Sequence, residues 1–459
     1  MKKTTNLLEG PVWIGIIRYA IPVILTGLML TFFNTADLIV VGQFCGSDCV
    51  GAISATTSLT TLIVNFFVGF STGTSVSVAR AVGAKDYDAI HKLVHTALPA
   101  AVICGGAISL IGIIFAPTFL TWMGTLETHL PLSTLYMRIY FSSMIFNMVY
   151  NFCAAILRAV GETKKPLYYL FFAGITNFSL NVFFVTICKM DVDGVALATA
   201  ISKVLAAFLA VRALTRRTDS SKLVLKKIHI HGKELLKIIK HGFPAGLQSS
   251  LFAISNVFTS TAINSFGSNA LVSGNGAAQN LQGLIKCVTS GFMTTATVYV
   301  GQNAGAKNYR RTRKVFFTCC ICVSVIVLVI STILFAFNDS VLSLYITDNP
   351  EAIKYGTIRM IYMTLPYFLL GLMDVGTASL RGMGYSFVPM IISLAGACGL
   401  RILWIQTIFQ IPRFHTQQCL YVIYPISWIL TFTVNLVLFL VICKKKERAE
   451  SMLSQLTHK

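Results

Sequence analysis

Residues 69–87 read GFSTGTSVSVARAVGAKDY, and residues 291–309 read GFMTTATVYVGQNAGAKNY. The second stretch follows the first by 222 positions. The same register runs without a gap over 17–87 and 239–309, where 19 of 71 positions are identical; chance identity for a membrane-biased composition is about 7 to 9%. Pro22 falls on Pro244 and Asn34 on Asn256. At a shift of 223, Leu157, Arg158, Gly161 and Pro166 fall on Leu380, Arg381, Gly384 and Pro389. The chain is a duplication.

Each copy is built for lipid. Of the 459 residues 55% are hydrophobic and only 12% charged, with a mean hydropathy of +0.72, whereas a soluble domain carries roughly 25% charged residues. A hydrocarbon core of about 30 Å takes about 20 apolar residues in a helix. Apolar runs of that length fall near 14–42, 51–79, 92–116, 132–156, 167–188 and 194–214, and again near 238–263, 273–301, 314–337, 356–379, 387–410 and 419–443. Short segments of alternating polarity, the mark of a membrane barrel, do not occur. The first run is too long for a signal peptide and shows no clear small-residue cleavage site. An all-α integral membrane protein with twelve transmembrane helices in two six-helix bundles is expected.

The net charge of +20 is not spread as in a nucleic-acid binder. Lys and Arg gather in alternate loops, around Arg80–Lys92, Arg158–Lys165, Arg212–Lys240, Lys307–Lys314 and Lys444–Arg448; loops near Ser47, Glu127, Asp191, Asn269, Asp348 and His415 are poor in cations. That asymmetry puts the basic loops and both termini in the cytoplasm of a cell-membrane protein. Six is even, so the halves run parallel, related by a pseudo-two-fold axis along the membrane normal. The divisions expected are a lobe over 1–214, a basic cytoplasmic linker over 215–237, a lobe over 238–443 and a basic tail over 444–459. A monomer is expected, with the bilayer and small organic molecules as its partners and no nucleic acid.

Several ordered motifs resemble the multidrug and toxic compound extrusion (MATE) family over about 15–443. They are Pro22 followed by Asn34-Thr35-Ala36-Asp37, Gly83-Ala84-Lys85-Asp86-Tyr87, the loop Leu157-Arg158-Ala159-Val160-Gly161-Glu162-Thr163-Lys164-Lys165-Pro166, and Asp193-Gly194-Val195-Ala196-Leu197-Ala198-Thr199. The resemblance implies an antiporter, not an enzyme, that expels organic and often cationic compounds in exchange for inward H⁺ or Na⁺, with no cofactor beyond the coupling ion. Asp37, Asn177, Asn181 and Thr199 match the family's cation-site pattern; where the family often has Asp, Asn181 is neutral.

The residues speak to the same chemistry. An ionised Asp at a helix centre costs about 2.5–3.5 kcal/mol on insertion scales, yet Asp37 lies in the first span and its repeat partner is Thr259. The acid exists in one half only, which assigns coupling to the N-terminal half. Asn177 and Asn181, one turn apart, present amides from one face, and Lys203 follows Thr199 by one turn as a charge partner for Asp37 if it points inward. In the second half Lys286 and Asp374 fall at depths that allow a pair lining a cavity. Pro22 and Pro244 each remove a helical hydrogen bond, so kinks are expected there. Cys45 and Cys49 either form a disulfide or stay unpaired. No His or Cys spacing reads as a metal site, leaving Na⁺ at Asp37 as the one metal ion considered. The alternative cargo is a lipid-linked saccharide or related amphiphile, moved by a flippase of related fold; a strongly cationic cavity marks that reading.

Overall fold

The computed structural model describes residues 7–45, 47–125, 127–346 and 349–457; Asp348 and the last two residues of the basic tail lie outside them. Helices dominate, and no strand occurs among the described residues. In the first half they are α1 (Val12–Phe44), α2 (Ser47–Gly83), α3 (Tyr87–Trp122), α4 (Leu130–Ser142), α5 (Met144–Ala159), α6 (Lys164–Val182) with a π turn at Phe183–Ile187, and α7 (Val192–Thr215). The second half holds α8 (Gly232–Asn264), α9 (Asn269–Gly305), α10 (Tyr309–Ala336), the short α11 (Asn338–Ser343), and α12 (Pro350–Arg359), which runs through a π turn at Met360–Thr364 into α13 (Tyr367–Gly382). After it come α14 (Phe387–Ser393), a π turn at Leu394–Gly399, α15 (Leu400–Gln406) and α16 (Gln417–Thr457).

Nine of the described helical segments are long and apolar enough to cross a bilayer, and the bent pair α4–α5 makes a tenth. The remaining two of the twelve expected spans are α8 and α9, of 33 and 37 residues. Their length suffices; composition sets them apart. Lys233, Glu234, Lys237 and Lys240 open α8, and Asn275, Gln279, Asn280, Gln282 and Lys286 punctuate α9. α16 continues as one helix into the basic tail, where Arg313 pairs with Glu447 at 3.0 Å. The non-helical stretch between α7 and α8 covers residues 216–231 apart from one short turn at Leu225–Lys227, and α8 begins at Gly232.

The repeated motifs are repeated backbone turns. Lys85 and Lys307 both adopt left-handed backbone, with φ of 55° and 57°. Each closes a helix through a six-residue bond, Asp86 N to Ala81 O at 3.0 Å and Asn308 N to Asn303 O at 2.9 Å. The same Asp86 and Asn308 then cap the next helix, accepting from Ala89 N and Arg311 N at 3.0 Å each. Gly161 and Gly384 repeat the device with φ of 91° and 92°. A φ in that range strains an L-residue and suits glycine. The fourth span bends by 43° at Ser143, and the matching place in the second half is Pro366, where the π turn meets α13.

Two compact units organise the chain. Among described residues one contains Leu25–Ser250, and the other joins residues 7–24 to 251–457. The division therefore falls inside α1 and inside α8, beyond Pro22 and Pro244, and both helices continue through their prolines. The glycines of the opening motif explain the grouping. A Cβ on Gly69 of α2 would lie 2.2 Å from Gly246 of α8, and one on Gly291 of α9 would lie 2.3 Å from Ile24 of α1. Bare backbone lets the start of α8 close on α2, and the start of α1 close on α9. Tyr19 and Tyr299 meet edge to face at 5.5 Å, and Asn303 donates to Leu7 O at 3.3 Å in the second unit. In the first, Ser250 Oγ donates to Leu62 O at 3.3 Å.

The linker is docked. Val224 N donates to His95 Nε2 at 3.0 Å, and His231 N donates to Thr96 Oγ1 at 3.1 Å, which fixes it along α3. Arg217 and Asp219 form an ion pair at its start, and Asp219 also accepts from Ser221 N at 3.0 Å.

Candidate functional site

Asp37 sits on α1 in the N-terminal unit, one turn beyond Phe33. Gly174 of α6 faces that ring so closely that a Cβ would lie 1.9 Å from it. The glycine brings α6 against α1, and the next two turns of α6 carry Asn177 and Asn181, both buried. Asn181 Nδ2 donates to Asp37 Oδ1 at 2.5 Å. The Asn177 amide satisfies its surroundings with its nitrogen toward the carboxylate, donating to Asp37 Oδ1 at 2.7 Å while its oxygen accepts from Thr199 Oγ1 at 3.3 Å. Four residues singled out by sequence thus form one cluster. It holds more acceptor than donor capacity: Asn181 Oδ1 is buried without a hydrogen-bond partner. A carboxylate, amide oxygens and a hydroxyl are the donors a hard cation takes, and the orphaned oxygen fits such an ion.

Lys203 does not form the ion pair with Asp37. Its Nζ lies over the ring of Tyr140, 3.5 Å from the centroid, buried and without a hydrogen bond. The reason is geometric: α7 aims Lys203 at α4, while the amides of α6 hold Asp37. The ammonium stays within electrostatic reach of the carboxyl. Tyr136, one turn before Tyr140 and stacked on it at 5.9 Å, is also near Asp37. Neither tyrosine was legible as a site residue; an aromatic pair at helical spacing in a span is ordinary packing until a cation is seen on its face.

In the other unit Lys286 of α9 and Asp374 of α13 pair at 2.7 Å, with the lysine side chain 44% exposed and the aspartate 11%. Three arginines are buried in the same unit: Arg359, Arg381 and Arg401. Arg359 donates to Gln282 Oε1 at 2.9 and 3.2 Å and to Asn275. Arg401 donates to Ser427 at 3.2 Å and lies over Tyr424, 4.1 Å from its centroid. The unit's interior carries more cations than anions. Arg359 went unremarked in the sequence because it stands near the start of the span expected at 356–379, where an arginine exposed at the span's edge is the ordinary reading.

Duplicated six-helix bundles with ionisable groups set into their membrane helices define a polytopic membrane transporter. The MatE family profile matches residues 22–183 and 244–405, one match in each half, and the chain belongs to that family of multidrug and toxic compound extrusion transporters. The probable multidrug resistance protein YoeA of Bacillus subtilis (strain 168) is 25% identical to it over 85% of this chain and 86% of that protein. The FAD transporter of Shewanella oneidensis is 22% identical over 86% and 87%. The fold is that of a multidrug resistance MATE family transporter of the MOP superfamily solved in an outward-facing conformation, with a TM-score of 0.89 at 19% identity, covering 98% of this chain and 99% of that one.

Proposed function

We propose that the protein is a secondary antiporter of the cell membrane, with both termini in the cytoplasm. It exports organic compounds by alternating access and takes H⁺ or Na⁺ inward at Asp37. The observation that carries this reading is the carboxylate held by two amides beside an unpartnered amide oxygen. A proton or Na⁺ at Asp37 cancels the carboxylate charge and competes with the Asn177 and Asn181 hydrogen bonds, so occupancy changes how α1 is held to α6. A ligand shifts a conformational equilibrium only by such differential contacts. The test is counterflow in proteoliposomes with H⁺ and Na⁺ gradients imposed separately. Export driven by neither gradient, or driven equally well after Asp37→Asn, overturns the proposal.

The buried Arg359, Arg381 and Arg401, with Lys286, favour a second reading of the cargo: an anionic or amphiphilic compound, as a flippase of related fold would carry. Buried cations attract anions where water does not screen them. Competition of export by organic cations against organic phosphates separates the two cargoes.

A further inference from the structure

Cys45 follows the end of α1, Cys49 lies in the first turn of α2, and Asp191 immediately precedes α7 without a side-chain capping bond. One sulfur from each cysteine and one Asp191 carboxylate oxygen lie within 4.8 Å of one another. Among the described residues this is the one group of three or more such side chains drawn together in this way. Neither cysteine is in a disulfide, Cys49 is buried, and Asp191 is exposed, so the group is open to solvent on one side. Cys49 belongs to an apolar cluster with Val40, Val41 and Val192, against which Cys45 and Tyr136 pack. The group therefore touches the same packing that reaches the surroundings of Asp37.

We propose that Cys45, Cys49 and Asp191 bind a thiophilic divalent cation of the zinc and cadmium class. Two thiolates and a carboxylate are a soft, borderline donor set that selects a d¹⁰ ion over Na⁺, Mg²⁺ or Ca²⁺. Zinc–sulfur bonds of about 2.3 Å and zinc–oxygen bonds of about 2.0–2.2 Å need the three donors no more than about 4 Å apart, which side-chain rotation supplies. Binding releases one proton from each thiol to solvent. The fourth tetrahedral position falls to water or to His129, whose Nε2 packs against Gly51 two residues beyond Cys49. An open fourth position makes an exchangeable site rather than a permanent structural one. The bound ion ties the α1–α2 junction to the start of α7, the two elements that carry Asp37 and Thr199, and so restrains the coupling pocket. Binding requires nothing of the coupling role of Asp37; its effect on export does rest on that role.

The test uses the full chain, reduced and in detergent, titrated with Cd²⁺ while the ultraviolet thiolate-to-cadmium charge-transfer band is recorded. One equivalent saturates the band, Zn²⁺ displaces the Cd²⁺, Cys45→Ser and Cys49→Ser abolish it, and Asp191→Asn weakens binding about tenfold or more. Should the buried Cys49→Ser variant fail to fold, the half-buried Cys45→Ser carries the test. A band that survives Cys45→Ser arises from other cysteines and overturns the proposal. So does the absence of a saturable band in protein whose Cys45 and Cys49 react with maleimide. Isolation of the two cysteines as a disulfide, detected by maleimide reactivity that appears only after reduction, overturns it as well.

Discussion

Asn181 Nδ2 donates to Asp37 Oδ1 at 2.5 Å, while the oxygen of the same amide is buried and accepts nothing. A hydrogen bond to a charged group contributes about 1.5–3 kcal/mol, and a buried polar atom left unmade costs about 1–3 kcal/mol. Asp37→Asn keeps the shape and removes the charge that the amides engage and that the proposed coupling ion would neutralise. Export driven by an ion gradient is expected to fall at least about tenfold, with expression and melting temperature close to wild type. Transport in proteoliposomes beside a thermal melt of the same preparation checks both halves.

Asn181→Asp puts a second carboxyl beside Asp37, in place of an amide whose oxygen is buried and unpartnered. Affinity of oxygen-ligand sites for hard cations rises with ligand charge. The Na⁺ concentration that half-saturates export is expected to fall by about tenfold or more, and the export driven by Na⁺ to rise relative to that driven by H⁺. Initial rates across a Na⁺ series at fixed pH report it; an unchanged Na⁺ response places residue 181 outside the ion site.

Lys286 and Asp374 pair at 2.7 Å within one unit. Removing one partner leaves a poorly solvated charge, at a cost of about 3–5 kcal/mol where the pair is fully buried and less here, because the lysine is partly exposed. Lys286→Met and Asp374→Asn singly are expected to lower stability and export. The double variant is expected to recover stability. If export recovers too, the pair is packing; if stability returns without export, the charges contact the cargo.

Burial pushes the Asp219 carboxyl up, but hydrogen bonds from Arg217 and Ser221 outweigh it and hold the group below its ordinary 3.8. A depressed carboxyl stabilises above its unfolded value, and the contribution is lost as pH falls through the folded one. Asp219 is about half exposed, so the effect is under about 1 kcal/mol. Asp219→Asn is expected to speed amide exchange in residues 214–224 at neutral pH. The difference from wild type closes as pH falls below the ordinary carboxyl value of 3.8 and through the lowered folded one, and hydrogen exchange across that fall measures it.

The membrane helices and their duplication were legible because lipid forbids irregular backbone and demands long apolar runs. The four-residue cluster at Asp37 was expected because Asp37, Asn177, Asn181 and Thr199 match the cation-site pattern of the family the sequence resembles; the residues alone offered an acid in a span and two amides one turn apart. Tyr140 under Lys203 was not: which neighbouring helix a lysine faces depends on rotation about the helix axis, and the mixed surroundings of α7 leave that rotation unmarked. Nor was the grouping of residues 7–24 with α9 legible, because the close approach of Ile24 to Gly291 and the Tyr19–Tyr299 ring pair join segments far apart in sequence, where no local spacing announces them. The meeting of Cys45 and Cys49 with Asp191 spans some 140 positions of sequence, and no local spacing announces it.

Gly174 separates the packing of the site from its charge. A Cβ there would lie 1.9 Å from the Phe33 ring, so Gly174→Val must displace either the ring or α1 itself. Overpacking of this kind typically costs about 1–3 kcal/mol. Phe33 lies one turn before Asp37, and Asn177 one turn after Gly174, so a displaced α1 carries the carboxylate away from both amides. Gly174→Val is expected to lose ion-driven export more than its modest drop in melting temperature explains. Phe33→Ala in the same background makes room for the valine and is expected to restore much of that export. Restoration of the melting temperature without restoration of export would show that Phe33 itself, and not the distance from Asp37 to Asn177 and Asn181, is what the site requires.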